Sequence, residues 1–490
     1  MRTHLVYPRL IPRHRYLGTW SRADVLIQLS FVTANVFCVA FRAASLREAG
    51  VRAASLSLTN LIPAFTGPHL SSLADILGVS LCTFRRIHRS AGIMSLSLLA
   101  FHIATVLANR TPFSLRVAEN MWGLVGASSL CLLLLLCIPV LRRPSYEVFL
   151  RLHQALAALS IVSIWRHLLP RTFLTRLSIY VPMLTFASIL FLQSAFYAYQ
   201  NKAMGAAFSR AYILHHGDEI MIRVEPSRRV RIKAGQYIEL WIPAVGLLQS
   251  HPFTVATWSE EKTGHFDLLV ERRAGFTQKL LESSKASKNI LRVRSGHQNE
   301  KQEVVLDGME SHHVFFSGPH GISVPVGKYE TVLMIASDFG IASQLPYLSQ
   351  LIYGYNACKA HIRRIHLVWQ VQGEGVLGSH LLNAALWNDV LDQGYILSVS
   401  IYILPGLAYV KNTTSARLTF YNGKTPDLES ILDEERSGTY INRVQKEAGK
   451  LQEMAVLVSA TSLIRDQVKH LVRNRGREKM TLHELAYQPS

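Results

Sequence analysis

The sequence predicts a multi-domain chain: a bundle of six transmembrane helices, then an antiparallel β-barrel, then an α/β doubly wound domain. Three observations lead there. Apolar runs of membrane-crossing length fill the chain through about residue 200. Short alternating stretches such as Glu219 to Val224 and Tyr237 to Ile242 follow, with the period of half-buried strands. Beyond Val324, strand-like and helix-like segments take turns, the pattern of a parallel sheet wrapped by helices. A chain of 490 residues is too long for one ordinary domain. The expected boundaries are 1–204, 205–325 and 326–490.

Six segments are expected to cross: Ala23 to Phe41, Leu56 to Phe84, Ser90 to Ala108, Met121 to Leu141, Val148 to Leu169 and Leu177 to Tyr199. The second is interrupted by Pro63, Pro68, His69 and Asp75. Arg2, Arg9, Arg13, Arg15 and Arg22 place the N-terminus in the cytosol, and six crossings return the chain there. Arg47, Arg52, Arg171 and Arg176 then face outside, against the same rule. Met1 to Arg22 lacks the apolar core of a signal peptide.

The net charge of +19 raises nucleic acid as a partner. However, the arginines flank apolar helices (Arg85, Arg86 and Arg89, or Arg142 and Arg143) and form no basic stripe with interleaved aromatics. Basic membrane loops account for them and nucleic acid is excluded. Cys38, Cys82, Cys131, Cys137 and Cys358 form no CxxC, which speaks against a zinc site or a disulfide framework. Asn109-Arg110-Thr111 and Asn412-Thr413-Thr414 are glycosylation sequons, the first hard against the membrane and the second on the cytosolic side.

Within residues 85–168 the histidines are His88, His102, His153 and His167, two pairs with one spacing of fourteen. On an α-helix that step falls about 40° short of four turns and rises ~21 Å, so each pair shares one helix face. Ionisable groups at membrane depth are costly and usually functional. Two such helices side by side offer two histidine couples, one above the other, each able to hold a haem iron from both sides. With the third and fifth spans running the same way, His88 lies level with His153, and His102 with His167.

The motifs "RRIHRSAG", with His102 after it, and "YEVFLRLHQALAALS", with His167 after it, resemble those of the fungal ferric reductases, relatives of the NADPH oxidases. The resemblance implies two b-type haems, the inner held by His88 and His153, the outer by His102 and His167. His69 is a further, weaker ligand candidate. The resemblance also implies that the soluble half is a ferredoxin-NADP reductase-like module binding FAD and NADPH.

Along the barrel, His251-Pro252-Phe253-Thr254 follows Gly235-Gln236-Tyr237 and looks like the family's flavin motif, with Thr254 near the reactive edge of the isoalloxazine. Gly275, Phe276 and Thr277 open a helical pattern, and free N–H groups at a helix start favour phosphate. Arg272 and Arg273 add charge for the FAD pyrophosphate.

For NADPH, Gly318-Pro319-His320-Gly321 resembles the family's GPYG turn. The glycine-rich turn after the first parallel strand survives only as Gly340 and Ile341 within Ala336 to Ile341, and Asp338 brings a negative charge to it. Trp369 and Gln370 close the second strand in "RRIHLVWQV", and Ser459 stands where the family carries a cysteine facing the nicotinamide. Glu374, beyond that strand, leaves NADP against NAD unsettled.

The resemblance implies a plasma-membrane ferric reductase that passes electrons from cytosolic NADPH through FAD and two haems to an external ferric or cupric chelate, for iron uptake. Iron held by two histidines has no open position, which suits electron transfer over binding of dioxygen. Two alternatives stand beside this: a superoxide-producing NADPH oxidase, and a haem-binding scaffold with a degenerate nucleotide site. The oligomeric state is left open.

Overall fold

In the computed structural model, the described residues are 9–14, 18–65, 70–110, 113–142, 145–202, 207–216, 219–247, 249–291, 293–294, 303–372, 396–404, 417–441, 453–475 and 480–487, with single positions 205, 382, 386, 388 and 389. His69, Thr111, Glu374 and the sequon at 412–414 lie outside them. The chain divides into two units, Met1–Ala195 and Phe196–Ser490.

The first unit begins with a hairpin, β1 (Arg9–His14) and β2 (Gly18–Ser21). Ser21 then starts α1 (Arg22–Ala40) through a capping box with Asp24. There follow α2 (Leu46–Phe65), α3 (Leu70–Ile76), α4 (Leu81–Ala108), α5 (Ala118–Leu136), the short α6 (Pro139–Arg142), α7 (Tyr146–Leu168) and α8 (Phe173–Asn201). Among the described residues five helices are long and apolar enough to cross a membrane: α1, α4, α5, α7 and Thr175–Asn201 of α8. Their surfaces carry large apolar side chains, such as Leu184, Phe191 and Leu192, that suit lipid and not water. The fold is that of a multi-pass membrane protein.

Of the six expected crossing segments, the second is the one with no counterpart among these five helices. The segment expected from Leu56 to Phe84 is not one helix. α2 starts ten residues earlier, ends at Phe65, and takes in Arg47, Glu48 and Arg52, which lower its apolarity below that of a span. The short α3 then ends before Gly78 at φ +64°, and Ser80 caps α4 anew.

The contacts of the helices fix their directions. Arg86 on α4 pairs with Asp24 on α1 at 2.9 Å, and Ser90 bonds Gln28 at 2.9 Å, so α1 and α4 are parallel. Ser57 on α2 bonds the carbonyl of Ser95 at 2.8 Å while Gly50 meets His102 at 3.0 Å, so α2 runs antiparallel to α4. On α7, His153 stands by Cys137 and His167 by Glu119, so α5 and α7 are antiparallel too.

The second unit opens with an antiparallel barrel of β3 (Arg210–His216), β4 (Glu219–Glu225), β5 (Tyr237–Trp241), β6 (Ser250–Thr254) and β7 (Phe266–Val270). α9 (Phe276–Ala286), the two-residue pair β8 (Val293–Arg294) and β9 (Glu303–Val304), β10 (Ser311–His313) and β11 (Phe315–His320) complete it. Its two main sheets run β10-β3-β4-β7 and β11-β5-β6. Arg223 grips the buried Asp267 with two bonds, 2.7 and 2.8 Å, across the β4–β7 pair.

Next comes a six-stranded parallel sheet, in the order β15-β14-β13-β12-β16-β17. Its strands are β12 (Thr331–Ser337), β13 (Arg364–Val371), β14 (Leu397–Ile403), β15 (Leu418–Asn422), β16 (Met454–Ser459) and β17 (Met480–Glu484). Helices α10 (Ile341–Asn356), α11 (Leu428–Ser437) and α12 (Ser462–Asn474) accompany it. Every residue of β12 and β16 is buried, as expected for central strands with both faces covered. The chain winds outward from β12 to β15 and then resumes at β16 on the other side. That reversal opens a crevice beyond the ends of β12 and β16, where ligands of such sheets bind.

Candidate functional site

In the bundle, α4 and α7 carry the four histidines on facing sides. The rings of His88 and His153 stand 6.2 Å apart between centres. A metal–imidazole bond is about 2.0–2.1 Å and a ring centre lies about 1 Å beyond its nitrogen, so two rings clamping one iron stand roughly 6 Å apart. The observed spacing fits one iron between them. At the other level, His102 on α4 and His167 on α7 each lie fourteen residues further along the same pair of helices.

The outer pair has its tautomers set by backbone. His102 Nδ1 lies 3.0 Å from the Gly50 carbonyl of α2, and His167 Nδ1 lies 2.8 Å from the Glu119 carbonyl of α5. A carbonyl only accepts, so each Nδ1 carries the proton and each Nε2 keeps its lone pair, the arrangement a metal-ligating histidine adopts. His153 Nδ1 instead meets Cys137 Sγ at 3.8 Å, a partner the sequence did not signal.

In the barrel, β6 brings His251, Pro252, Phe253 and Thr254 against the start of α9. The ring of His251 stacks on Phe276 at 4.3 Å between centres, with Phe253 6.4 Å from Phe276. Gly275, at φ +87°, precedes α9 with no side-chain cap, so its first N–H groups are open to phosphate. Thr277 Oγ1 accepts from Arg273 N at 2.7 Å and shapes the turn. Arg272 is exposed beside it, and Arg273 pairs with Glu271 and Tyr487. This arrangement fits a flavin dinucleotide.

At the parallel sheet, Gly340, Ile341, Trp369, Gln370 and Ser459 gather at the ends of β12, β13 and β16. Ala336 pairs with Trp369 and with Ser459, and Ser337 with Gln370. Ser459 Oγ is buried with no hydrogen-bond partner among the described residues, an orphan a bound group would satisfy. Asp338 holds the turn at φ +45°; its carbonyl accepts from Trp369 Nε1 at 3.0 Å and its carboxylate from Gln372 N at 2.7 Å. Burial pushes its carboxyl above the usual range and the charge of Glu271 adds to this, while the Gln372 bond opposes it. Gly318 and Gly321 lie apart from these five, on the barrel, where a Cβ at Gly321 would meet the Tyr237 ring at 3.2 Å.

The C-terminal tail joins the two regions. Leu485 N bonds the Val458 carbonyl at 2.8 Å, and Thr254 Oγ1 bonds the Ala486 carbonyl at 3.1 Å. Two consecutive residues therefore link the end of β16 to the end of β6. Tyr487 adds a bond to Glu271 at 2.9 Å.

Residues 50–164 match the family described as ferric reductase like transmembrane component, and residues 206–324 match an FAD-binding domain. The chain is 25% identical over 331 residues to ferric/cupric reductase transmembrane component 2 of Saccharomyces cerevisiae, 65% of this chain and 42% of that protein. It is 25% identical over 161 residues to NADPH oxidase 4 of Mus musculus, 32% of this chain and 26% of that one. The chain spans about two fifths of the length of the yeast relative. A solved ferredoxin NADP+ reductase from Neisseria gonorrhoeae, with bound FAD and NADP, aligns at 14% identity and TM-score 0.32, over 56% of this chain and 97% of that one. In both its membrane half and its soluble half, the chain resembles the fungal ferric/cupric reductases and, over a shorter stretch, the NADPH oxidases.

Proposed function

We propose that this chain is a transmembrane oxidoreductase that draws electrons from a cytosolic pyridine nucleotide, NADPH by the resemblance, and delivers them to an external ferric or cupric chelate. Residues 1–204 form the haem domain, 205–325 the FAD domain and 326–490 the nucleotide domain. His88 and His153 would hold the inner haem, and His102 and His167 the outer. The observation that carries this reading is the 6.2 Å ring spacing of His88 and His153 on two parallel apolar helices. When bound, flavin divides a hydride's electron pair and haem iron passes single electrons.

The chain's own residues position these groups. β6 and the start of α9 present a ring stack and open N–H groups to FAD, and the crevice at Gly340 and Ser459 receives the nucleotide. Leu485 and Ala486 hold the two regions within a few residues of one another. α2, lying antiparallel between two apolar helices, serves as a sixth pass and returns the chain to the cytosol, in the plasma membrane. Outward electron movement then runs with an inside-negative potential, by ~2.3 kcal/mol per 100 mV.

The test is single replacement of His88, His102, His153 and His167 by alanine in cells. Each variant should lose ferric-chelate reduction and haem, and the wild-type signal should resist superoxide dismutase. Suppression by dismutase would favour the oxidase reading. Asp338 favours a second reading, a haem scaffold with a degenerate nucleotide site. It would be selected by haem that dithionite reduces and NADPH does not.

A further inference from the structure

Whereas His153 of the inner pair has Cys137 Sγ beside its Nδ1, the outer histidine pair is braced by backbone on both sides. Both of its Nδ1 atoms are held by backbone carbonyls of a neighbouring antiparallel helix, and on both helices a glycine lies at the contact. On α5, a Cβ added to Gly123 would stand 2.8 Å from His167 Nδ1 and 3.1 Å from Cε1. The N–H of Gly123 lies one helical turn beyond the Glu119 carbonyl that His167 uses, so the imidazole sits in the space a side chain would fill. On α2, the Gly50 carbonyl takes the His102 bond, and a Cβ on Gly50 would stand 2.8 Å from Thr105 Cβ, three residues along α4 from His102. Carbon atoms rest about 3.5–4.0 Å apart, so both helices would have to retreat.

We propose that Gly123 and Gly50 are positioning residues for the outer haem. They let α5 and α2 come close enough for their backbone carbonyls to hold His167 and His102 with Nε2 directed at the iron. This rests on the haem reading above and gives α2, too polar for an ordinary span, a task beyond crossing. Groups bonded to the far nitrogen of a ligating histidine typically matter 10–100-fold in metal affinity.

The experiment compares full-length wild type with Gly123→Ala, Gly50→Ala and Gly126→Ala, purified in detergent, for haem per flavin and for low-spin haem signals in electron paramagnetic resonance. Gly126 packs on α7 at Ser163 and Ile164, its added Cβ 3.3 Å from Ser163 Cβ and 3.5 Å from Ile164 Cγ1. Wild type should hold two haems per flavin. Gly123→Ala and Gly50→Ala should retain the inner signal and lose or shift the outer one, with outer haem bound 10–100-fold more weakly. Gly126→Ala should keep both. Two unshifted signals in Gly123→Ala overturn the proposal, and so does equal haem loss in Gly126→Ala, which marks general packing. Should the histidine-facing variants not accumulate, pulsed resonance on wild type decides: a protonated, hydrogen-bonded remote nitrogen on both outer ligands is expected, and an unprotonated one refutes it. A wild type without haem refutes the haem reading itself.

Discussion

Replacing Gly340 with alanine probes the proposed nucleotide crevice. Gly340 has φ −57° and ψ −21°, a backbone that alanine adopts freely, so any cost is steric. The added Cβ would stand 2.8 Å from the carbonyl carbon of Ser459, nearer still to its oxygen, and 3.2 Å from Oγ. Against a resting separation of about 3.5–4.0 Å, the turn must withdraw from β16 by about 1 Å. Overpacking of this kind costs about 1–3 kcal/mol, and a 1 Å misplacement can cost about 100-fold in rate, or about 2.7 kcal/mol. The assay is NADPH-driven haem reduction by the purified chain. The expected result is a loss in kcat/KM on the order of 100-fold with flavin and haem content unchanged. Gly327→Ala, whose Cβ would meet Ala360 at an ordinary 3.5 Å, is the control and should behave as wild type. A Gly340→Ala enzyme within about threefold of wild type would show that the nucleotide does not approach this turn.

Further predictions concern charge. Asp338→Asn keeps an acceptor for Gln372 N but removes the negative charge, so the KM for NADPH should fall severalfold; because burial raises the Asp338 carboxyl, wild-type KM should rise with pH as that group ionises while the variant's stays flat. Glu435 on α11, with Arg364 at 2.8 Å and His366 at 2.9 Å on β13, is held at about 2 against an ordinary 4.5 despite its burial. At 1.36 kcal/mol per tenfold in acidity this contributes about 3 kcal/mol above pH 4.5, lost as pH falls from 4.5 toward 2. Glu435→Gln should therefore speed hydrogen exchange of the β13 amides at pH 7, with only about a quarter of that free-energy difference left near pH 2.5.

Much of the fold was legible because its signals are periodic. Fourteen-residue histidine spacing, apolar runs and alternating strands each follow from helix or strand geometry, and strands and helices do take turns beyond Val324. α2 was misplaced because Arg47, Glu48 and Arg52 hide a helix whose buried face begins with small residues, Ala49, Gly50, Ala53 and Ser57, before Asn60, Leu61 and Phe65. β15 and α11 sit in a stretch that reads as merely polar. Thr254 was assigned to the flavin edge from its motif, but its bond to Ala486 depends on a segment 232 residues away, which no local pattern encodes. The same holds for Cys137 beside His153 and for Tyr487 on Glu271.

If two stacked histidine couples carry electrons delivered by the soluble half, the haem bands must follow the nucleotide. An anaerobic titration of the purified chain with NADPH, followed in the Soret region and then by addition of a ferric chelate, tests it most directly. Two haems per chain should reduce with the nucleotide and reoxidise with the chelate. A chain without Soret absorbance, or haem bands that stay oxidised while the flavin bleaches, would contradict it.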